Sequence, residues 1–153
     1  MNVLFAYDGS ESADAALAAV AAIFDPHDVE AVVLCVWEPL TLQALRAERF
    51  GGWSAVPLDV TELDEQTEKQ AEVLAERGAH VASEHGFHAR GISVADKHDV
   101  AGTILATADE LAVDLIVLGA RGLAGVRAFL GSVSNHVVQH AQRPVLVVPA
   151  KSS

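Results

Sequence analysis

Apolar residues along the chain fall into short, nearly continuous runs separated by longer stretches in which they recur every three or four positions. The runs at residues 3–7 (VLFAY), 30–37 (EAVVLCVW) and 114–118 (DLIVL) have the length and the Val, Ile and Leu content of strands covered on both faces. Residues 89–95 hold a shorter alternating set, Ile92 and Val94, and residues 144–148 (PVLVV), from Pro144 to Val148, form a last strand. Between these runs the period changes. Residues 12–24 are packed with alanine and follow the turn signal Asp8-Gly9-Ser10, which predicts a helix entered from a tight turn. Val60, Leu63, Thr67, Gln70, Leu74 and Val81 recur at helical spacing among charged residues, which predicts a helix over residues 62–85 with one face buried and Gly86 at its end. Ile104, Leu105, Ala108 and Leu111 mark another helix, capped by Asp99, and residues 132–141 the last. Asp25-Pro26-His27-Asp28 breaks the chain. Residues 38–59 hold Pro39, Gly51, Gly52, Trp53 and Pro57, longer than an ordinary connection, with a helical turn expected around residues 40–49 and the greatest mobility of the chain.

Five strands alternating with four helices predict an α/β fold: a parallel sheet with helices on both faces and right-handed crossovers, because parallel neighbours need a connection about as long as a helix. Residues 1–150 are expected to form one domain, with residues 151–153 as a tail. In such a sheet ligands bind beyond the carboxyl ends of the strands where the winding reverses. The turns after the first, second and fourth strands, at Asp8, Trp37 and Gly119, fall there.

Composition narrows the function. A formal charge of −11 argues against an unassisted nucleic-acid surface. The single cysteine, Cys35, lies inside an apolar run and reads as a buried thiol in a reducing compartment. The first eight residues have no basic stretch and meet an acid early, unlike a secretory leader, and the alanine-rich helix is too short to span a bilayer. A soluble cytoplasmic protein is expected.

The chemistry concentrates in residues 119–134, GARGLAGVRAFLGSVS. No Walker-type sequence is present, since the lysines are Lys69, Lys97 and Lys151, and the first turn lacks the Gly-x-Gly-x-x-Gly of dinucleotide folds. What the chain offers is Gly119 and Gly122, where the backbone can pass close to a ligand, and eight residues later Gly131, Ser132, Val133 and Ser134 opening a helix whose free amides and hydroxyls suit phosphate. Two tight turns with a serine cap account for the same residues. Arg121 and Arg127 are candidates to neutralise phosphate charge. His136 and His140 share a helix face, but without the glutamate of a zinc-protease motif they read as surface histidines. No grouping of serine, histidine and acid indicates a nucleophile.

Asp8-Gly9-Ser10 after the first strand, DLIVLGARG, GSVS and RPVLVV together resemble the universal stress protein family across the whole chain. ATP-binding members carry Gly-x2-Gly-x9-Gly-Ser/Thr, whereas this chain has eight residues at the longer gap. The resemblance implies a three-layer α/β/α fold, related to the adenine nucleotide alpha hydrolases, with strand order 3-2-1-4-5. It also implies a homodimer through the last strand and ATP, with Mg²⁺ or Mn²⁺ on its phosphates. Carried over, it places Ala6, Tyr7, Asp8 and Val36 at the nucleoside, and Leu118, Gly119, Arg121 and Gly122 along ribose and phosphates. Gly131, Ser132, Val133 and Ser134 fall at the phosphate chain. It implies a nucleotide-responsive module with little or no catalysis; the rival readings are a nucleotide-free interaction dimer and a slow ATPase.

Overall fold

A computed structural model of the chain describes residues 1–49, 51, 60–97, 99–120 and 131–149. Its strands are β1 (Asn2–Ala6), β2 (Glu30–Trp37), β3 (His88–Ala95), β4 (Leu115–Ala120) and β5 (Val145–Pro149). Its helices are α1 (Glu11–Ile23), α2 (Leu40–Arg49), α3 (Val60–Glu84), α4 (Val100–Glu110) and α5 (Ser132–His140). The strands form one five-stranded sheet in the order β3-β2-β1-β4-β5, with every pairing parallel. This is the expected sheet. β1 and β4 lie side by side although α1, β2 and β3 intervene in sequence, so the winding reverses between them.

The apolar runs lack alternation because both faces of the central strands are covered. Val3, Phe5, Val33 and Val117 point to one face, where Leu17 and Val20 of α1 and Ala82 of α3 close over them. Leu4, Val32, Leu34, Ile116 and Leu118 point to the other, against Ile104 and Ala108 of α4 and Val137 of α5. Burial of such side chains, at about 25 cal/mol per Å² of apolar area, is what drives the three layers together.

Element ends follow local chemistry. Ser10 caps α1, its hydroxyl accepting from the Ala13 amide at 3.2 Å, and Asp99 caps α4 as expected, accepting from the Gly102 amide at 2.7 Å. Gly86 leaves α3 with a φ of +94°, a left-handed conformation that glycine adopts without a Cβ penalty. The helical segment expected around residues 40–49 is α2, a ten-residue helix over those residues. Its first amide, Leu40, donates to the Asp64 carboxylate of α3 at 2.7 Å and the Thr41 hydroxyl to the same group at 3.3 Å. That cap comes from 24 residues away and is invisible to local pattern. Arg46 of α2 further pairs with Glu38 and with Asp96 at the end of β3.

Candidate functional site

A cleft of about 350 Å³ opens beyond the carboxyl ends of β1, β2 and β4, within the size range of small-molecule sites. β1 delivers Ala6, Tyr7 and Asp8, β2 delivers Leu34 and Val36, and β4 delivers Leu118 and Gly119. The first turn of α5 closes the cleft with Gly131, Ser132, Val133 and Ser134. The predicted site residues Ala6, Tyr7, Asp8, Val36, Leu118, Gly119, Gly131, Ser132, Val133 and Ser134 thus meet around one cavity. Arg121 and Gly122, and with them the loop arginine Arg127, lie outside the described residues.

Two helix N-termini face this cleft, and they differ. In α1 the Ser10 hydroxyl occupies the Ala13 amide, and Glu11 and Asp14 place acids in the first turn. In α5 the capping position belongs to Gly131, no side chain bonds the cap, and no acid sits in the first turn. Ser132 therefore does not cap its helix, contrary to the turn-and-cap alternative drawn from sequence. The first bond of the helix runs from the Asn135 amide to the Gly131 carbonyl at 2.9 Å, so the amides of Ser132, Val133 and Ser134 have no acceptor within it. These three donors, with the positive end of the helix dipole behind them, make the α5 end of the cleft receptive to an anion.

The opposite end is set by β1. Asp8 accepts the Ser10 amide at 3.0 Å, the Asx turn that leads the chain from strand to helix. Asp8 is the one charged side chain among the described residues of the cleft wall. Tyr7 is buried, its amide donating to the Leu34 carbonyl at 2.8 Å and its hydroxyl to Asp14 at 2.7 Å. Burial, and next the hydrogen bond to Asp14, push the Tyr7 phenol up to about 12. Cys35, buried one residue before Val36, has its thiol pushed up by burial and by the negative charge of Asp8, which keeps it protonated and inert.

Gly119 is present for a reason the sequence hid. It lines the cleft, where it was expected to let the backbone pass a ligand, and it also lies inside β4, where a Cβ would meet the Ser12 carbonyl oxygen at 2.5 Å and the Ser12 carbonyl carbon at 2.6 Å. The glycine lets the backbone of α1 rest directly on the strand. The cleft also gains residues that sequence reading passed over. Ser12 is buried with its hydroxyl 2.9 Å from that of Ser10, and its signal was the Ser-x-Ser spacing at the helix start. Val100 and Ile104 arrive from α4, and only the sheet order brings them to the cleft. Among the described residues no group of three or more His, Cys, Asp or Glu is placed to hold a metal ion, and no helix is long and apolar enough to cross a membrane.

The family model described as "Universal stress protein family" matches residues 1–149. The universal stress protein YxiE of Bacillus subtilis is 31% identical over 149 residues, covering 96% of this chain and 97% of that protein. A universal stress protein of Thermus aquaticus, encoded 3′ of a QAH/OAS sulfhydrylase, is 33% identical over 150 residues, covering 96% and 97%. Among solved structures, the hypothetical protein MJ0577 superposes with a TM-score of 0.73 at 27% identity, covering 99% of this chain and 97% of that one. A universal stress protein family protein of Arabidopsis thaliana, solved with AMP bound, shares the fold with a TM-score of 0.66 at 20% identity, covering 99% and 92%.

Proposed function

The chain belongs to the universal stress protein family, and from that premise we propose that its cleft binds an adenine nucleotide, ATP in the first instance, as the signal input of a cytoplasmic homodimer. The carrying observation is the start of α5, where Ser132, Val133 and Ser134, whose amides have no acceptor within the helix, line the cleft with no side chain capping it. Phosphates fit this end; Ala6, Asp8, Val36 and Leu118 then border the nucleoside. The Arabidopsis relative with AMP bound supports the ligand class. A triphosphate would bring Mg²⁺ or Mn²⁺ on its own oxygens and water, the ion supplying charge neutralisation in a wall with no lysine or arginine among its described residues. Arg121 and Gly122 complete the proposed phosphate contact. Dimerisation uses β5, which stands at the sheet edge.

The test is thermal unfolding of the purified chain with ATP and Mg²⁺, ADP, AMP and GTP across a concentration series. A ligand bound only by the folded state raises the midpoint progressively. ATP should do so with GTP far weaker, and Ser132→Ala, at an exposed position, should weaken ATP about tenfold by removing a hydrogen bond to a charged group. No shift at millimolar ATP would overturn the ATP reading in favour of the nucleotide-free interaction module, to which the eight-residue spacing between Gly122 and Gly131 points. Phosphate release that vanishes in Ser132→Ala would establish the slow ATPase.

A further inference from the structure

The second half of α5 carries a pair of histidines that the cleft does not use. His136 and His140 stand one helical turn apart, both exposed, with ring centroids 4.3 Å apart and planes inclined by 28°. Nδ1 of His140 lies 2.9 Å from the carbonyl oxygen of His136. A carbonyl only accepts, so that nitrogen carries a proton, and in the neutral ring the lone pair is left on Nε2. Metal-ligating histidines are held in this same way, the second ring nitrogen donating to a backbone carbonyl that fixes tautomer and orientation. The helix, SVSNHVVQH, has no charged side chain to compete, and the Gln139 amide is occupied with Asn135 at 3.4 Å.

We propose that His136 and His140 form a two-point chelate for a first-row transition-metal dication, Cu²⁺ above Ni²⁺ and Zn²⁺, with water in the remaining positions. Two imidazole nitrogens at the usual metal distance of about 2.0–2.1 Å sit roughly 3 Å apart when they occupy neighbouring positions. With the His140 ring held by its Nδ1 bond, the exposed His136 ring 4.3 Å away reaches that separation by turning about its own side-chain torsions. The net charge of −11 raises the local concentration of cations. Imidazole selects against Mg²⁺ and Ca²⁺, which prefer oxygen, and the Irving–Williams order places Cu²⁺ first. The site stands apart from the cleft at the start of the same helix, and its existence does not depend on nucleotide binding.

Calorimetric titration of the nucleotide-free full chain with Cu²⁺, Ni²⁺, Zn²⁺ and Mg²⁺, together with electron paramagnetic resonance of the Cu²⁺ form, tests it. One Cu²⁺ should bind per chain and show coupling to two nitrogens. His136→Ala and His140→Ala should each lower Cu²⁺ affinity on the order of tenfold or more, because the second bond of a chelate is intramolecular. His80→Ala, which removes the ring beside Glu84 on α3, should leave it unchanged. The double variant His140→Ala with Gln139→His, which restores a pair at i, i+3, should recover part of the loss. Matching far-UV circular dichroism in chelator shows that the variants are folded. Wild-type affinity in either single variant, displacement by equimolar Mg²⁺, or coupling to fewer than two nitrogens would overturn the proposal.

Discussion

Replacing Gly119 by alanine tests whether the cleft is built by helix contact or by ligand contact. The added Cβ would lie 2.5 Å from the Ser12 carbonyl oxygen, 2.6 Å from its carbon and 3.0 Å from the Ala13 amide nitrogen. Ordinary contacts of this kind begin near 3.4 Å, so β4 and the first turn of α1 must separate by close to an ångström. These are backbone atoms, and no flexible side chain can turn aside. Overpacking of this kind costs about 1–3 kcal/mol, and the loss of glycine's unfolded-state freedom returns only about 0.4–1 kcal/mol. A net loss of about 1–2 kcal/mol is expected, which in a chain of this size lowers the thermal midpoint by roughly 2–8 °C. Gly131→Ala is the packing control, since a Cβ there meets nothing within 4 Å, and a small loss there reports only the poorer fit of alanine at the start of α5. Urea denaturation of both variants beside the wild type gives the two differences directly. Gly119→Ala within about 0.5 kcal/mol of wild type would refute the close approach of α1 to β4. If that variant also lost nucleotide binding, the glycine would belong to the ligand after all.

The raised phenol of Tyr7 gives a pH signature. Its folded pKa of about 12 lies above the ordinary 10.0, so the neutral form is favoured by folding. The contribution is complete below pH 10 and is lost as pH climbs from 10 through 12. It amounts to about 2–3 kcal/mol at 1.36 kcal/mol per unit. Tyr7→Phe should therefore lose about 1 kcal/mol at neutral pH, where the bond to Asp14 is gone, yet decline less steeply than wild type above pH 10; parallel declines in urea midpoints would dismiss the assignment. The edge position of β5 makes a second expectation: the chain of 16.1 kDa should sediment as a dimer. Val147→Lys should shift it toward monomer with its far-UV spectrum intact, while a wild type that sediments as monomer removes the β5 interface.

The sheet was legible in the sequence because its cause is local. Runs such as 30–37 are apolar at every position since Val33 faces α1 and α3 while Val32 and Leu34 face α4 and α5, and each run needs only its own composition to be recognised. Strand order was not legible from pattern; it came through the family resemblance and agrees with the pairing of β1 to both β2 and β4. Helix α2 was placed at residues 40–49, but its anchoring was not legible, because its start depends on Asp64 and its docking on Arg46 with Asp96, contacts spanning 24 and 50 residues. Asp96 carries no local mark of its role, yet its side chain is 1% exposed and accepts the Thr103 hydroxyl at 3.1 Å. In the cleft, the residues after β1 and β4 were found from the switch-point rule, whereas Val100 and Ile104 carry no mark that distinguishes them from core.

The asymmetry of the two helix starts bears on what the cleft can do to a nucleotide as well as on how it would hold one. The first turn of α1 carries Glu11 and Asp14 and its cap is filled by Ser10, whereas α5 has neither, so a nucleotide in the proposed site would place its phosphates at α5 and its base toward β1 and β2. Hydrolysis would then require, beside the α5 amides, a group able to take a proton from water near neutral pH. Of the titratable side chains on the described wall, Tyr7 keeps its proton to about pH 12 and donates a hydrogen bond to Asp14, and Asp8 accepts the Ser10 amide at the other end of the turn. The described donors at α5 are neutral amides and serine hydroxyls, groups suited to stabilising phosphate charge rather than to taking a proton from water. Among the described residues, the wall therefore supplies donors for phosphate charge, and the phosphate-release assay on Ser132→Ala decides whether any nucleotide held there is cleaved.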